Sequence, residues 1–269
     1  MSDPRPIGVF DSGFGGLTVA RAVIDLLPFE DVVYLGDTGR YPYGPRPLDE
    51  VRGFARQIAH RLIDDHDVKV LIVACNTASA AALEELQDEL PVPVLGVIEP
   101  GVRSVIRATR NQRVGVIGTV GTINSGAYQK AVDATGADVD LTCAACPGFV
   151  EFVERGETDS EQVHVLAERL LAPVMQASVD TLLLGCTHYP FLARTITDVV
   201  GRDVVLVDSA DETAFELLAM LQWTDVARSH ADGPGNHRFI SSGDVGWFRE
   251  LGSRLLGPEL ADVESVTWT

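Results

Sequence analysis

The sequence predicts an α/β protein of two similar open α/β domains with mainly parallel sheets, related by pseudo-two-fold symmetry, with the active site in the cleft between them. Three observations carry this. Short apolar runs alternate with amphipathic helical patterns. Four of these runs recur in order at a nearly constant offset. In each half the third run ends on a cysteine followed by polar residues. With 269 residues, 46% of them hydrophobic, the chain can fill one large core or two smaller ones.

In the first half the apolar runs are Ile7 to Phe10, Val32 to Leu35, Val70 to Ala74 and Val94 to Ile98. Helical patterns such as "LDEVRGFARQIAHRLID" and "SAAALEELQDEL" lie between them. Strands that alternate with helices are the signature of βαβ units, because a crossover helix returns the chain to the same edge of a parallel sheet.

The second half repeats this grammar at Val114 to Ile117, Val139 to Leu141, Leu182 to Leu184 and Val204 to Val207. Phe10 and Ile117 lie 107 residues apart, as do Val32 and Val139. The separation is 111 for Cys75 and Cys186, and 110 for Val94 and Val204. Any α/β chain has rhythmic strands; the matched endings "IVACNT" and "LLGCTH" point further, to a duplicated unit. After Val207 come a helical pattern near Ala214 to Leu221, the polar, turn-rich "DVARSHADGPGNHR", and "FISSGDVGWFRELGSRLLG", which reads as one more strand and a helix. This segment is assigned to a discontinuous first domain, residues 1–98 plus 209–269, with 99–208 as the second.

Composition excludes several classes. The net charge of −18 repels phosphate backbones and disfavours nucleic acid as a partner. No run of 18 apolar residues is present, so no membrane span is expected. The opening "MSDPRPIGVF" has Asp3 and two prolines where an export signal carries a basic and an apolar region, so a cytoplasmic location is expected. The four cysteines, Cys75, Cys143, Cys146 and Cys186, are then thiols rather than a disulfide framework.

Open α/β sheets bind ligands at the carboxyl ends of their strands, where Cys75 and Cys186 both stand. Taken alone, Cys75 is as readily a buried structural thiol as a reagent. Two facing thiols meet the need of inverting a stereocentre that bears a hydrogen: one removes the proton and the other returns it on the opposite face. Each cysteine precedes a helical pattern, and placement at a helix amino terminus can lower a thiol pKa. Asn76, Thr77 and Thr187 offer hydroxyl, amide and backbone N–H groups for a carboxylate, and His188 offers a proton donor. Asp11 and Ser12, in "FDSGFGG", end another strand. The two lysines, Lys69 and Lys130, lie at the amino end of a strand and in a surface helix, away from the ligand edge. A pyridoxal aldimine is therefore disfavoured and no cofactor is expected.

"GVFDSGFGGLTV", "YLGDTGRYPYG", "VACNTASA", "GVIGTVGTINSGAY", "CPGFVEFVERG" and "LGCTHYPFL", in that order over residues 7 to 256, resemble bacterial glutamate racemase of the aspartate/glutamate racemase superfamily. The resemblance implies that Cys75 acts on the D-glutamate face and Cys186 on the L-glutamate face. It implies that Asp11, Ser12, Tyr43, Gly44, Asn76, Thr77, Thr187 and His188 line the substrate site. Asp11 and His188 assist the thiols in this reading, with Glu154 as a further polar group. It also implies a homodimer, and D-glutamate made for peptidoglycan. Aspartate-acting relatives tend to carry an acidic residue at the place of His188, which argues for glutamate here. An amino-terminal extension linked to activation by a peptidoglycan precursor in some members has no counterpart before Ile7.

Other motifs read more plainly. "CAAC" (Cys143 to Cys146) has no second CxxC or His pair at ligand spacing, so no metal site is expected. "DSGFGG" lacks the Lys-Ser/Thr ending of a phosphate-binding P-loop. His60, His66 and His164 fall within helical patterns. Tyr43, in "RYPYGPRP", belongs to a solvent loop or to a flap over the cleft. Glu154 is equally readable as a solvated charge. Two other readings are an aspartate or hydantoin racemase and a non-catalytic two-lobed protein that holds a small acid.

Overall fold

A computed structural model describes residues 2–260 and 262–268. The chain divides into two compact units, Met1–Val97 with Ala210–Thr269, and Ile98–Ser209.

The first unit runs β1 Ile7–Asp11, α1 Leu17–Leu26, β2 Val32–Gly36, α2 Leu48–His66, β3 Val70–Val73, α3 Asn76–Glu89 and β4 Val94–Gly96. The second runs α4 Ile98–Ala108, β5 Arg113–Gly118, α5 Val120–Asn124, α6 Ala127–Thr135, β6 Asp140–Ala145, α7 Phe149–Glu154, α8 Glu161–Gln176 and β7 Thr181–Gly185. A 3-10 turn Tyr189–Leu192, α9 Ala193–Val200 and β8 Val205–Val207 complete it. The chain then returns to the first unit with α10 Ala210–Thr224, β9 His237–Ser241, α11 Val245–Leu256 and β10 Val263–Ser265.

The first sheet has the order β10-β9-β2-β1-β3-β4 and the second β6-β5-β7-β8. Every described strand pair is parallel. The sequence repeat is thus a repeat of topology: β2-β1-β3-β4 and β6-β5-β7-β8 are the same arrangement. Strands β1, β2 and β3 are buried at every residue, as strands covered on both faces must be, which is why they read as unbroken apolar runs.

Helix α2 buries Val51, Ala55, Ile58, Ala59 and Leu62, one stripe at helical spacing, against the sheet and against Ala78, Ala81, Ala82 and Leu86 of α3. Its outer face carries charge, and it ends at Asp67 in the left-handed conformation (φ 48°). In the second unit Asp180 closes the amino edge of the sheet. It accepts hydrogen bonds from Thr109 Oγ1 (2.6 Å), the Arg110 and Asn111 N–H groups (2.7 Å each) and Thr181 Oγ1 (3.0 Å).

Three boundaries differ from the sequence reading. The apolar run Val94 to Ile98 is β4 only as far as Gly96, and Ile98 opens α4. Strand β6 starts at Asp140 rather than Val139 and extends to Ala145. Strand β10 has no apolar run to announce it: it is three residues long, lies at the sheet edge, and two of the three are exposed.

Candidate active site

In the first unit the strand ends gather Asp11, Ser12, Cys75, Asn76 and Thr77, all buried. β1 lies between β2 and β3, so Asp11 and Ser12 leave the sheet beside Cys75. The loop after β1 is tightly built. The Asp11 carboxylate accepts the Gly13 N–H (2.9 Å), and the Tyr34 hydroxyl donates to the Gly13 carbonyl (2.8 Å). A Cβ at Gly16 would stand 2.5 Å from Asp11 Cβ, so this turn closes only with glycine there.

Cys75 is the N-cap of α3. Its Sγ accepts from the Ala78 N–H (3.5 Å), and its thiol lies 3.8 Å from Ser12 Oγ. The helix position was expected to lower this thiol's pKa. Instead burial, aided by the negative charge of Asp11, pushes it up to about 12 against the opposing bonds from Ala78 and Ser12. The magnitudes explain the outcome. A helix terminus supplies about 0.3–1 kcal/mol, less than one pKa unit, whereas full burial moves a group by up to about 3–5 units.

Tyr43 lies in the loop after β2 and is 1% exposed. Its hydroxyl donates to the Asp37 carboxylate, so the phenol acts as a post holding the loop, and Gly44 follows it half-buried. Burial, with Asp37 beside it, pushes the Tyr43 hydroxyl well above its ordinary pKa, and it stays protonated.

In the second unit Cys186, Thr187 and His188 follow β7 and are likewise buried. Cys186 does not precede an α-helix directly, as its sequence context suggested. Three residues separate β7 from a short 3-10 turn, and α9 begins only at Ala193. Pro190 sits in the first turn of that 3-10 segment, where its missing N–H costs nothing. A helix amino terminus therefore plays no part at this thiol. His188 does: its Nδ1 is 4.0 Å from Cys186 Sγ and 3.5 Å from Thr187 Oγ1, and its Nε2 is 3.4 Å from the Glu154 carboxylate. Glu154, the last residue of α7, is brought to this histidine rather than left in solvent.

The strand end is rigid. A Cβ at Gly185 would lie 2.7 Å from the Tyr128 hydroxyl and 2.8 Å from the Ile117 carbonyl, so the residue before Cys186 must be glycine. The Tyr189 hydroxyl donates to the Cys146 carbonyl (3.0 Å) and its ring meets Phe149 edge-on, fixing the "CPGFV" loop against the same edge.

The sequence reading missed two buried hydroxyls here. Thr119 follows β5 and caps α5, and its Oγ1 lies 2.9 Å from Thr122 Oγ1. The signal was present: the offset of 107 that pairs Phe10 with Ile117 also pairs Ser12 with Thr119. Cys146 is buried and Cys143 half-buried, with burial raising their thiols to about 12 and about 11. Among the described residues no group of three or more His, Cys, Asp and Glu is arranged to hold a metal ion. No helix among them is long and apolar enough to cross a membrane.

Comparison with known proteins places the chain in one family. The Asp/Glu/Hydantoin racemase family model matches residues 15–217. A glutamate racemase of Mycobacterium ulcerans is 52% identical over 99% of this chain and 98% of its own length. Among solved structures, glutamate racemase isoform RacE1 from Bacillus anthracis superposes with a TM-score of 0.91 at 40% identity, covering 98% of this chain and 97% of that one. A Francisella tularensis glutamate racemase in complex with D-glutamate gives 0.90 at 35% identity, covering 98% of each chain. Two parallel sheets that share a four-strand order, each with a buried cysteine and polar neighbours after its third strand, thus coincide with full-length likeness to one group of enzymes, and the chain belongs to the Asp/Glu/Hydantoin racemase family as an isomerase of the glutamate racemase group.

Proposed function

We propose that this protein interconverts L- and D-glutamate without a cofactor, with Cys75 and Cys186 acting on opposite faces of the same α-carbon. The observation that carries this is the equivalence of the two thiols. Each follows the third strand of its unit in chain order, at the carboxyl edge, with buried polar residues immediately after it. The names of the relatives, and the D-glutamate bound by the Francisella protein, support the substrate.

In the D-to-L direction Cys75, as thiolate, takes the α-proton. The electron pair is held as a carbanion delocalised into the α-carboxylate, and the Cys186 thiol delivers a proton to the other face. Cys75 ends as thiol and Cys186 as thiolate, so the reverse reaction uses the same groups with exchanged roles. Cys75 rests as a thiol, and the Asp11 carboxylate serves as acceptor for the proton it must lose. His188, with the Glu154 carboxylate 3.4 Å from its Nε2, does the same for Cys186. Asn76, Thr77 and Thr187, with the backbone at Tyr43 and Gly44, hold the amino acid still. Ser12 supports the Cys75 thiol. The dry strand ends strengthen every charge interaction on which so weak a carbon acid depends. The D-glutamate formed is supplied to peptidoglycan in the cytoplasm, by a protein that acts as a homodimer.

The test is solvent exchange in D₂O without pyridoxal phosphate. The protein is expected to invert glutamate with deuterium appearing at the α-carbon, and to leave aspartate and hydantoins unchanged. Cys75→Ser and Cys186→Ser should each lose about a hundredfold or more of inversion. Residual exchange should survive only on L-glutamate in the first variant and only on D-glutamate in the second. Glutamate binding with neither exchange nor inversion would refute the racemase reading, and a fully active serine variant would refute the two-thiol mechanism.

A further inference from the structure

The carboxylate of Asp37, at the carboxyl end of β2, is fully buried and collects four donors from three separate parts of the first unit. One oxygen accepts from the Tyr43 hydroxyl and from Arg40 Nε (2.7 Å). The other accepts from Ser242 Oγ (2.6 Å) and from the indole N–H of Trp268 (2.7 Å). The Arg40 guanidinium lies between two rings, 4.2 Å from the centre of Phe54 and 4.1 Å from that of Trp268.

The segment that brings Trp268 there is itself fastened. The Val266 N–H donates to the Ser241 carbonyl (3.0 Å), and Arg61 donates to the Thr267 carbonyl (3.3 Å). On the other side, residues 38 and 39 are laced to 241–243. The Gly39 N–H donates to Ser242 Oγ (3.0 Å), the Gly243 N–H to Thr38 Oγ1 (2.9 Å), and Thr38 Oγ1 meets Ser241 Oγ at 2.7 Å. Tyr43 and Trp268 thus share one anion that neither could keep buried alone, since a carboxylate stays inside only when its acceptor sites are filled.

We propose that Trp268 is a positioning residue for the Tyr43–Gly44 loop: by filling the second oxygen of Asp37 it fixes the first oxygen on Tyr43, so that the segment after β10 sets the affinity for glutamate. This rests on the reading that the Tyr43–Gly44 backbone contacts the substrate. Losing the indole N–H leaves Asp37 short of a donor inside the protein. The carboxylate then turns toward Arg40 or admits water, and Tyr43 loses its fixed partner. Substrate binding suffers while the thiols stay in place.

The experiment uses the full chain with Trp268→Phe, which keeps a ring beneath Arg40 but has no N–H, together with Ser242→Ala and a chain ending at Val266. Steady-state kinetics are measured in both directions, alongside thermal unfolding. In all three variants KM for each enantiomer should rise about five- to tenfold with kcat within about twofold of wild type, the pattern of lost binding rather than lost chemistry. If the shortened chain does not fold, Trp268→Phe and Ser242→Ala carry the test. A lowered unfolding temperature with unchanged KM in both point variants would overturn the proposal and leave Trp268 a packing residue. A fall in kcat at constant KM would overturn it as well. Wild-type protein that fails to racemise glutamate would remove the underlying reading, and this proposal with it. Wild-type activity with an unmoved KM in Trp268→Phe removes only the positioning role.

Discussion

At Cys75 two effects oppose each other: α3 offers its amino terminus to the thiolate, while burial and the Asp11 carboxylate favour the thiol, and the second pair prevails. The consequence is testable at one side chain. Asp11→Asn removes the neighbouring negative charge, so the Cys75 pKa should fall, and alkylation of Cys75 by iodoacetamide near neutral pH should speed up by about tenfold for each unit of fall, as thiolate fraction dictates. On the proposed role of Asp11 as acceptor for the thiol proton, the same variant should also racemise more slowly. Peptide mapping of the alkylated cysteine together with an inversion assay checks both, and slower alkylation would show that Asp11 does not govern this thiol. The placement of both cysteines was legible in the sequence, since apolar runs and their offset locate strand ends. The protonation state was not: it depends on a carboxylate 64 residues away and on exclusion of water, neither of which a local pattern encodes. Tyr43 shows the same limit. Its loop was visible in "RYPYGPRP", but its burial against Asp37 was not.

At the scale of elements, the two strand ends have diverged within a shared topology. Cys75 passes directly into α3, whereas Cys186 passes into a 3-10 turn that brings a histidine close to its sulfur. Sequence alone suggested a helix after both, because Pro190 is compatible with a helix's first turn as well as with a tighter one. Strand β3 is anchored at its other end by Lys69, whose ammonium meets Glu30 (2.7 Å) and donates to the Asp3 and Val226 carbonyls (2.7 and 2.9 Å). Lys69→Met would leave Glu30 buried without its cation, with only the Arg228 N–H (2.7 Å) among the described residues still donating to it, and should cost about 3 kcal/mol or more in denaturant unfolding. Turnover per folded molecule should nevertheless stay near wild type, because this amine sits at the amino end of the strand. Lost turnover in folded protein would bring a lysine-dependent mechanism back.

For the whole molecule, buried thiols make stability depend on alkaline pH. Cys75 and Cys146 are pushed up to about 12 when folded, whereas an unfolded thiol ionises near about 8.5. Below the unfolded value both states keep the proton and nothing is lost. Above it only the unfolded chain releases protons, so stability should fall progressively between about pH 8.5 and about 12. Urea midpoints measured across that window check this, and Cys146→Ala should flatten the slope. A midpoint that stays level for wild type would show that these thiols are less buried than the structure places them.

The discontinuity of the first unit also has a temporal meaning. A ribosome delivers β1 to β4, then all of residues 98–209, and only afterwards β9, which must find its place beside β2. The inserted unit has its whole sheet early and can settle while the first still lacks an edge. Ser242 and Trp268 emerge 205 and 231 residues after the aspartate they serve, so until then one oxygen of Asp37 waits for both of these donors. Such distant pairings close slowly. A nascent chain therefore carries both thiols and most of both sheets before Asp37 has all its donors, and on the positioning role proposed for Trp268 the Tyr43–Gly44 loop tightens only when synthesis is nearly over.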